Sequence, residues 1–202
     1  GESNGGEPAD LLVHYEFNEG ENQTTADISG NGYSAILGTS SGVESNDPLW
    51  QCNSTGYQLD FDASEKQKIV SSTFSPPAEG TIAFWMKVPS ISGSRQRIFG
   101  FSDKFEARWE TTGKIHWDIN YQGFNNSGDF IGSTITETDT WMHFAFITSV
   151  EYGTWALYEN GVLANSGTKG LTAQPSSALT LGARTGRNSE YFTGSISGGH
   201  TG

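Results

Sequence analysis

The sequence predicts an all-β protein in which two antiparallel sheets pack face to face as a sandwich. Apolar and polar residues alternate with period two in short runs that Gly, Asn, Asp and Ser separate from end to end. No stretch keeps the spacing of three and four residues that an amphipathic helix requires. The chain has 26 glycines among 202 residues and 12% aromatic residues, which indicates many turns and is too aromatic for disorder. We therefore expect no significant helix.

Twelve runs carry this alternation and are predicted strands. In chain order they are Leu11–Phe17, Tyr33–Leu37, Tyr57–Phe61, Gln67–Ser71, Thr81–Val88, Arg97–Ser102, Phe105–Glu110, Lys114–Asn120, Trp141–Ser149, Thr154–Glu159, Ala178–Gly182 and Tyr191–Ser197. Thr81–Val88 and Trp141–Ser149 are partly apolar on both faces, so we expect them to be central strands.

Two short turn motifs predict hairpins. Asn160-Gly161 separates the run ending at Glu159 from Val162, and both residues tolerate the positive φ that a two-residue hairpin turn needs. Thr111-Thr112-Gly113 predicts a second hairpin. The polar stretches Gly38–Trp50 and Gly123–Asp139 are predicted long loops, where a binding surface is expected.

The composition excludes several classes of protein. With 23 acidic and 11 basic residues the net charge is −12, which disfavours nucleic acid and anionic membrane surfaces as partners. No apolar run approaches the ~18 residues of a membrane span, so no membrane insertion is expected. Cys52 is the only cysteine, so no intrachain disulfide and no cysteine-rich zinc site can form.

One domain is predicted, over residues 10–197. Residues 1–9 are polar and Gly-rich and are predicted to be a flexible tail, and residues 198–202 are predicted to be a C-terminal tail or the boundary of an excised piece. We therefore expect the chain to be part of a larger multidomain protein.

Eight segments are informative when they are taken in their order along the chain. They are Val13–Glu19 (VHYEFNE), Ala26–Gly32 (ADISGNG), Tyr57–Asp62 (YQLDFD), Gly80–Lys87 (GTIAFWMK), Trp141-Met142-His143, Leu157–Val162 (LYENGV), Leu179–Gly182 (LTLG) and Phe192–Ile196 (FTGSI). In this order they resemble the motifs of laminin-G-like, concanavalin A-like jelly-roll domains. Such domains are accessory modules of secreted bacterial enzymes, adhesins and phage proteins, so the resemblance implies a jelly roll that acts extracellularly or at the cell surface.

The loop DISGNG is the candidate metal site. Asp27, Ser29 and Asn31 offer a carboxylate, a hydroxyl and an amide carbonyl in a tight glycine-containing loop, as a calcium ion would require. The same residues also favour an Asx-type turn closed by their own backbone. The resemblance implies a structural calcium ion here. The resemblance implies an acidic pair after Ile196, whereas Ser197 and GGHTG follow here. Either the strand is cut short or its remainder is replaced, so a metal ligand from that pair is not among the expected ones.

A second group of residues suggests a sugar site. Carbohydrate recognition needs an aromatic ring against the C–H face of a sugar, together with polar side chains for its hydroxyl groups. The predicted ligand-binding residues are Trp109, Trp117, Asp118, Tyr121, Asn125 and Arg184, with the aromatic residues forming an exposed platform. A core position for the two tryptophans is the alternative.

A catalytic site is not predicted. Glu106 and Glu110 are four residues apart on one strand, about 13 Å along it, whereas a retaining glycosidase needs two carboxylates about 5 Å apart. No GxSxG pattern is present. Together with the aromatic and polar residues named above, the family resemblance implies a non-catalytic carbohydrate-binding module. A protein-contacting adhesion or spacer module and a polysaccharide hydrolase or lyase are the alternatives.

Overall fold

The computed structural model describes residues 10–54, 56–91, 93–101, 105–119, 130–185 and 189–198. These residues form strands and one 3₁₀ turn, Ala63–Glu65, with no α-helix among them, which confirms the all-β prediction. The strands are β1 (Thr24–Thr25), β2 (Ala35–Leu37), β3 (Leu49–Asn53), β4 (Gly56–Phe61), β5 (Ile69–Phe74), β6 (Glu79–Lys87), β7 (Gln96–Phe101), β8 (Phe105–Trp109), β9 (Lys114–Ile119), β10 (Phe130–Thr134), β11 (Met142–Ser149), β12 (Thr154–Glu159), β13 (Val162–Thr168), β14 (Ser177–Leu181) and β15 (Gly194–Ser197).

The strands form two antiparallel sheets that pack face to face. The eight-stranded sheet has the order β1-β2-β5-β14-β7-β8-β9-β10, and the seven-stranded sheet has the order β13-β12-β11-β6-β15-β4-β3. Strand β6 lies between β11 and β15, and β11 lies between β6 and β12, so both predicted central strands are confirmed. The described residues contain no helix long and apolar enough to cross a membrane.

Both predicted hairpins are present. Asn160 and Gly161 have φ values of 50° and 76°, which are the positive values that the turn between β12 and β13 requires. The turn between β8 and β9 closes with a hydrogen bond of 2.9 Å from the Gly113 N–H to the Glu110 carbonyl.

The prediction of a first strand over Leu11–Phe17 is wrong. Residues 11–20 belong to no strand, and Phe17 has a φ of 56°, which interrupts the extended backbone. Tyr15 and Phe17 are buried in the core. The alternation of this run therefore arises because Tyr15 and Phe17 are buried against the sandwich, although the run itself forms no strand.

Two strands lie where long loops were predicted. Strand β3 contains the end of the predicted loop Gly38–Trp50 and pairs with β4, and β10 lies within Gly123–Asp139 and pairs with β9. Both are edge strands of their sheets. Edge strands keep polar residues because one side of the ladder faces solvent, so their composition resembles that of a loop.

The core lies between the sheets and is rich in aromatic rings. Trp117 of β9 is completely buried and stacks on Phe146 of β11, with ring centroids 4.5 Å apart and an interplanar angle of 16°. Phe84 and Phe99 contact the same indole at centroid distances of 6.0 and 5.3 Å. This cluster joins the two sheets near their centres.

Replacing Trp117 tests this packing. We expect Trp117→Ala to lower the free energy of unfolding by about 3–5 kcal/mol, because it removes a buried ring from both sheets. Trp117→Phe is the matched control. Trp117→Phe should lower the free energy of unfolding by clearly less, because the phenyl ring still packs between the sheets. The indole N–H that it removes has no hydrogen-bond partner among the described residues. Urea unfolding measures both, and equal effects below about 1 kcal/mol would contradict the core assignment.

Candidate functional site

The structure places the two predicted tryptophans of the sugar site inside the core. Trp109 is 2% exposed, and Trp117 is fully buried. The expectation that they form an exposed platform is wrong, because Trp109 and Trp117 point between the sheets on β8 and β9, where the alternation assigns them to the inner face. Tyr121 and Asn125 lie outside the described residues.

The opposite face of β7, β8 and β9 carries a network of buried charges. We call the following residues the charged network: Arg95, Arg97, Glu106, Arg108, Glu110, Asp118, Arg184 and Glu190. Asp118 and Arg184 were predicted from the sequence as site residues. The network contains four of the five arginines in the chain and an equal number of carboxylates, so it is locally neutral although the protein as a whole is acidic.

Ion pairs connect these residues. Arg97 lies 2.7 Å from Glu106 and 2.6 Å from Glu190, and both Arg97 and Glu106 have fully buried side chains. Arg108 donates a hydrogen bond of 2.6 Å to Glu110 and contacts Asp118 at 3.4 Å. The Arg97 contacts are close, but they are not aligned as hydrogen bonds. The buried Arg97–Glu106 pair therefore depends on charge compensation away from water.

Arg97 also fixes the segment that covers this face. Its backbone N–H donates to the Glu190 carbonyl at 2.7 Å, while its guanidinium contacts the carboxylate of the same residue. Glu190 has a φ of 59°, an uncommon value for this residue type. Thr185 lies over Gly100, where an added Cβ would be only 2.5 Å from its hydroxyl oxygen. Thr185 and Glu190 are thus held against β7.

Strand register brings together two carboxylates that sequence reasoning did not connect. Glu106 of β8 pairs directly with Asp118 of β9, and directly opposed residues have Cβ atoms about 5 Å apart. Burial raises the pKa of Glu106 to about 7, with Arg97 opposing the shift and Asp118 adding to it. A pair with this spacing could serve a retaining glycosidase. Both carboxylates are buried and contact arginines, however, so a glycosidic bond cannot reach them.

The sequence did contain a signal for the missed residues. Glu106, Arg108 and Glu110 alternate with Phe105, Ala107 and Trp109, as expected for a strand with one apolar and one charged face. The spacing of Glu106 and Glu110 along one strand does not show that Glu106 lies opposite Asp118, because that relation depends on the pairing of β8 with β9.

The Asp27 loop is a hydrogen-bonded turn. The Asp27 carboxylate accepts backbone N–H groups from His14 and Ser29 at 3.0 Å and from Tyr33 at 2.9 Å. The Ser29 hydroxyl donates to the Leu12 carbonyl at 3.1 Å. Although partial burial opposes it, these hydrogen bonds hold the pKa of Asp27 below its ordinary value.

In this arrangement Asp27, Ser29 and Asn31 form an Asx-type turn, and the Asn31 side-chain amide donates to the Leu11 and Leu12 carbonyls. The calcium ion that the resemblance implies stays a prediction. Within the ranges that the structure describes, no group of three or more His, Cys, Asp or Glu side chains could hold a metal ion.

An open groove lies at one end of the sandwich. Its cavity volume is about 440 Å³, and residues 150–153 and 168–171 line it; we call this the end groove. Tyr152 stands in it with 71% of its surface exposed, beside Glu151 and Lys169. A small apolar hollow of about 30 Å³ adjoins it through Val150 and Leu171 and is too small for a sugar.

The end groove is on the side of the sandwich where β9 ends. Phe105, the first residue of β8, lines the adjoining hollow and pairs with Ile119, the last residue of β9. Sequence reasoning did not find the groove, because its walls come from the turn after β11 and the segment after β13, which no local pattern connects.

These features define an antiparallel jelly-roll sandwich with one closed, charged outer face and an open groove at its end. The sequence profile of the family described as the concanavalin A-like lectin/glucanases superfamily matches residues 61–198. The chain belongs to this superfamily, as the resemblance of its motifs implied. No curated protein gives a significant match to the sequence.

Solved structures show the same fold. Domain 4 of a GH43 extracellular arabinanase from Geobacillus stearothermophilus, solved in complex with arabinotriose, is similar with a TM-score of 0.65 and 18% identity, covering 93% of this chain and 89% of that chain. The receptor binding domain of botulinum neurotoxin type G is similar with a TM-score of 0.62 and 16% identity. That match covers 92% of this chain and 45% of the toxin domain, so the chain spans about half of the latter.

The turn interpretation of the Asp27 loop predicts no response to calcium. Asp27→Ala leaves three backbone N–H groups without their acceptor, so we expect it to lower the free energy of unfolding by about 1–3 kcal/mol in a chelator. Millimolar calcium should leave the Tm of both proteins unchanged. A calcium-dependent rise in the Tm of the original protein that Asp27→Ala abolishes would instead establish a metal site.

The raised pKa of Glu106 predicts a pH dependence of stability. Between about pH 4.5 and 7 the folded state binds more protons than the unfolded state, so the Glu106 contribution lowers the free energy of unfolding as pH rises. We expect Glu106→Gln to remove this contribution, as measured by urea unfolding across that range.

Glu110→Gln is the matched control, because Glu110 directly follows β8 and belongs to the same charged network. Although burial opposes it, hydrogen bonds from Arg108 and Arg95 hold the pKa of Glu110 below its ordinary value. Glu110 is then ionised in both states over most of this range, and its replacement should leave the slope unchanged. If the free energy of unfolding changes with pH equally in the original protein and in Glu106→Gln, the assigned pKa shift of Glu106 is contradicted.

Proposed function

We propose that the chain is a non-catalytic carbohydrate-binding module. The observation that carries the proposal is the contrast between the closed charged network and the open end groove. The groove is lined by an exposed tyrosine, a glutamate and a lysine, which are residue types that sugar recognition uses. Membership of a lectin and glucanase superfamily supports this choice of ligand.

The similarity to the arabinanase domain also supports carbohydrate as the ligand. The arabinanase domain was solved with arabinotriose, and the match extends over nearly the whole length of both chains. That enzyme is extracellular, and the matching part of it is a separate domain. By analogy, we place this chain outside the cell or at its surface, as one module of a larger protein.

The closed network argues against catalysis. Hydrolysis of a glycosidic bond needs an acid and a nucleophile or base that contact the substrate. Glu106 and Asp118 are the carboxylates that the register brings together, and both are buried against arginines. A polysaccharide hydrolase or lyase would require this face to open.

A protein-contacting adhesion or spacer module is the second candidate. Ile147 and Leu163 are 40% and 50% exposed, and strand register places both on the outer face of the seven-stranded sheet. Exposed aliphatic residues on one face are typical of surfaces that contact proteins. We prefer the carbohydrate-binding function to this second candidate because the end groove contains the exposed Tyr152.

A glycan array tests the proposed function. We expect the purified domain to retain a subset of oligosaccharides, with the same pattern in calcium and in a chelator. Incubation with a retained oligosaccharide should release no new reducing ends. New reducing ends would establish an enzyme, while an empty array with a normal far-UV circular dichroism spectrum would contradict carbohydrate binding and favour the protein-contacting module.

A further inference from the structure

Three hydrogen bonds hold the backbone of the turn that carries Tyr152. The Tyr152 N–H donates to the Ser149 hydroxyl at 3.2 Å, and the Glu151 N–H donates to the Glu79 carboxylate at 2.9 Å. The Val150 N–H donates to the Ala78 carbonyl at 3.0 Å. The backbone of the turn is therefore tied to the start of β6, and the Tyr152 ring projects from it into solvent.

The other wall of the end groove is tied to the same turn. The Lys169 N–H donates to the Gly153 carbonyl at 2.6 Å. Gly153 has a φ of 59°, and an added Cβ would lie 2.8 Å from the Lys169 carbonyl oxygen, so only glycine fits there. The backbones of the two walls are therefore fixed relative to each other. Binding of a ligand would cost little conformational entropy of this backbone.

The charges around the groove select against an anionic ligand. Hydrogen bonds from the Ser149 hydroxyl and the Glu151 N–H hold the pKa of Glu79 below its ordinary value, so Glu79 is ionised at neutral pH. Glu151 is exposed in the groove, and the whole chain carries a net charge of −12. Uronate polymers and sulfated glycans would be repelled from this surface, whereas neutral sugars would not.

We propose that the end groove is the carbohydrate site and that it takes a neutral oligosaccharide. The Tyr152 ring stacks on the C–H face of one sugar unit, and Glu151 and Lys169 contact its hydroxyl groups. This assignment rests on the proposed carbohydrate-binding function and adds to it the location, the stacking residue and the class of ligand.

Isothermal titration calorimetry tests the assignment with the neutral oligosaccharide that gives the strongest array signal. We expect Tyr152→Ala to weaken its binding about tenfold or more and Tyr152→Phe to stay close to the original affinity, because the ring is retained. Both variants should keep the original Tm, since the side chain is exposed. Trigalacturonate, the anionic probe, should bind more weakly than the neutral ligand.

Tyr57→Ala is the matched control, because Tyr57 is 38% exposed on β4, in the other part of the seven-stranded sheet. The affinity of Tyr57→Ala for the neutral oligosaccharide should stay within about twofold of that of the original protein. If the original protein binds the sugar and Tyr152→Ala binds it equally well, the groove assignment is overturned while the proposed function stands. Tighter binding of trigalacturonate overturns the neutral class. If the original protein binds no sugar at all, the proposed function fails first and the assignment fails with it.

Discussion

The packing of Trp117 between the two sheets determines much of the remaining structure. Its buried indole stacks on Phe146 of the opposite sheet, so the inner face of β9 is fixed. Period-two geometry then directs Asp118 outward, and the register of β8 directs Glu106 outward beside it. The charged network and the aromatic core are therefore two faces of the same strands, and the first cannot be rearranged without moving the second. This constraint favours a closed, ion-paired face over a catalytic cleft on β8 and β9.

Much of the fold could be predicted because its strongest signals are local. Alternation on both faces of Thr81–Val88 predicted a central strand, and Asn160-Gly161 predicted a hairpin because few residue pairs accept its φ values. The run Leu11–Phe17 misled the prediction because burial of its aromatic residues produces the same alternation as a paired strand. Pairing depends on a partner elsewhere in the chain, which no local pattern shows. The edge strand β10 was missed for the opposite reason, since solvent exposure gives it the polar composition of a loop.

The candidate site was harder to predict because it depends on relations between strands and turns. The alternation of Trp109 and Trp117 with Asp118 indicated two different faces, but it did not indicate which face is the core. The pairing of Glu106 with Asp118 follows only from the register of β8 and β9. Tyr152 lies in an ordinary turn after β11, and its importance follows from Gly153 and Lys169, which bring a distant segment against it. For the DISGNG loop the sequence offered both a metal site and a turn, and the hydrogen bonds to Asp27 favour the turn.

The most direct test of the account is the location of the sugar on the molecule. Backbone amide chemical shifts of the ¹⁵N-labelled protein can be followed while the strongest neutral oligosaccharide from the array is added. The account predicts that the largest changes fall in residues 150–153 and 168–171, with the amides of β8 and β9 almost unaffected. Changes concentrated on the outer face of β8 and β9, around Glu106 and Asp118, would contradict it and would show that the charged network opens to receive the ligand.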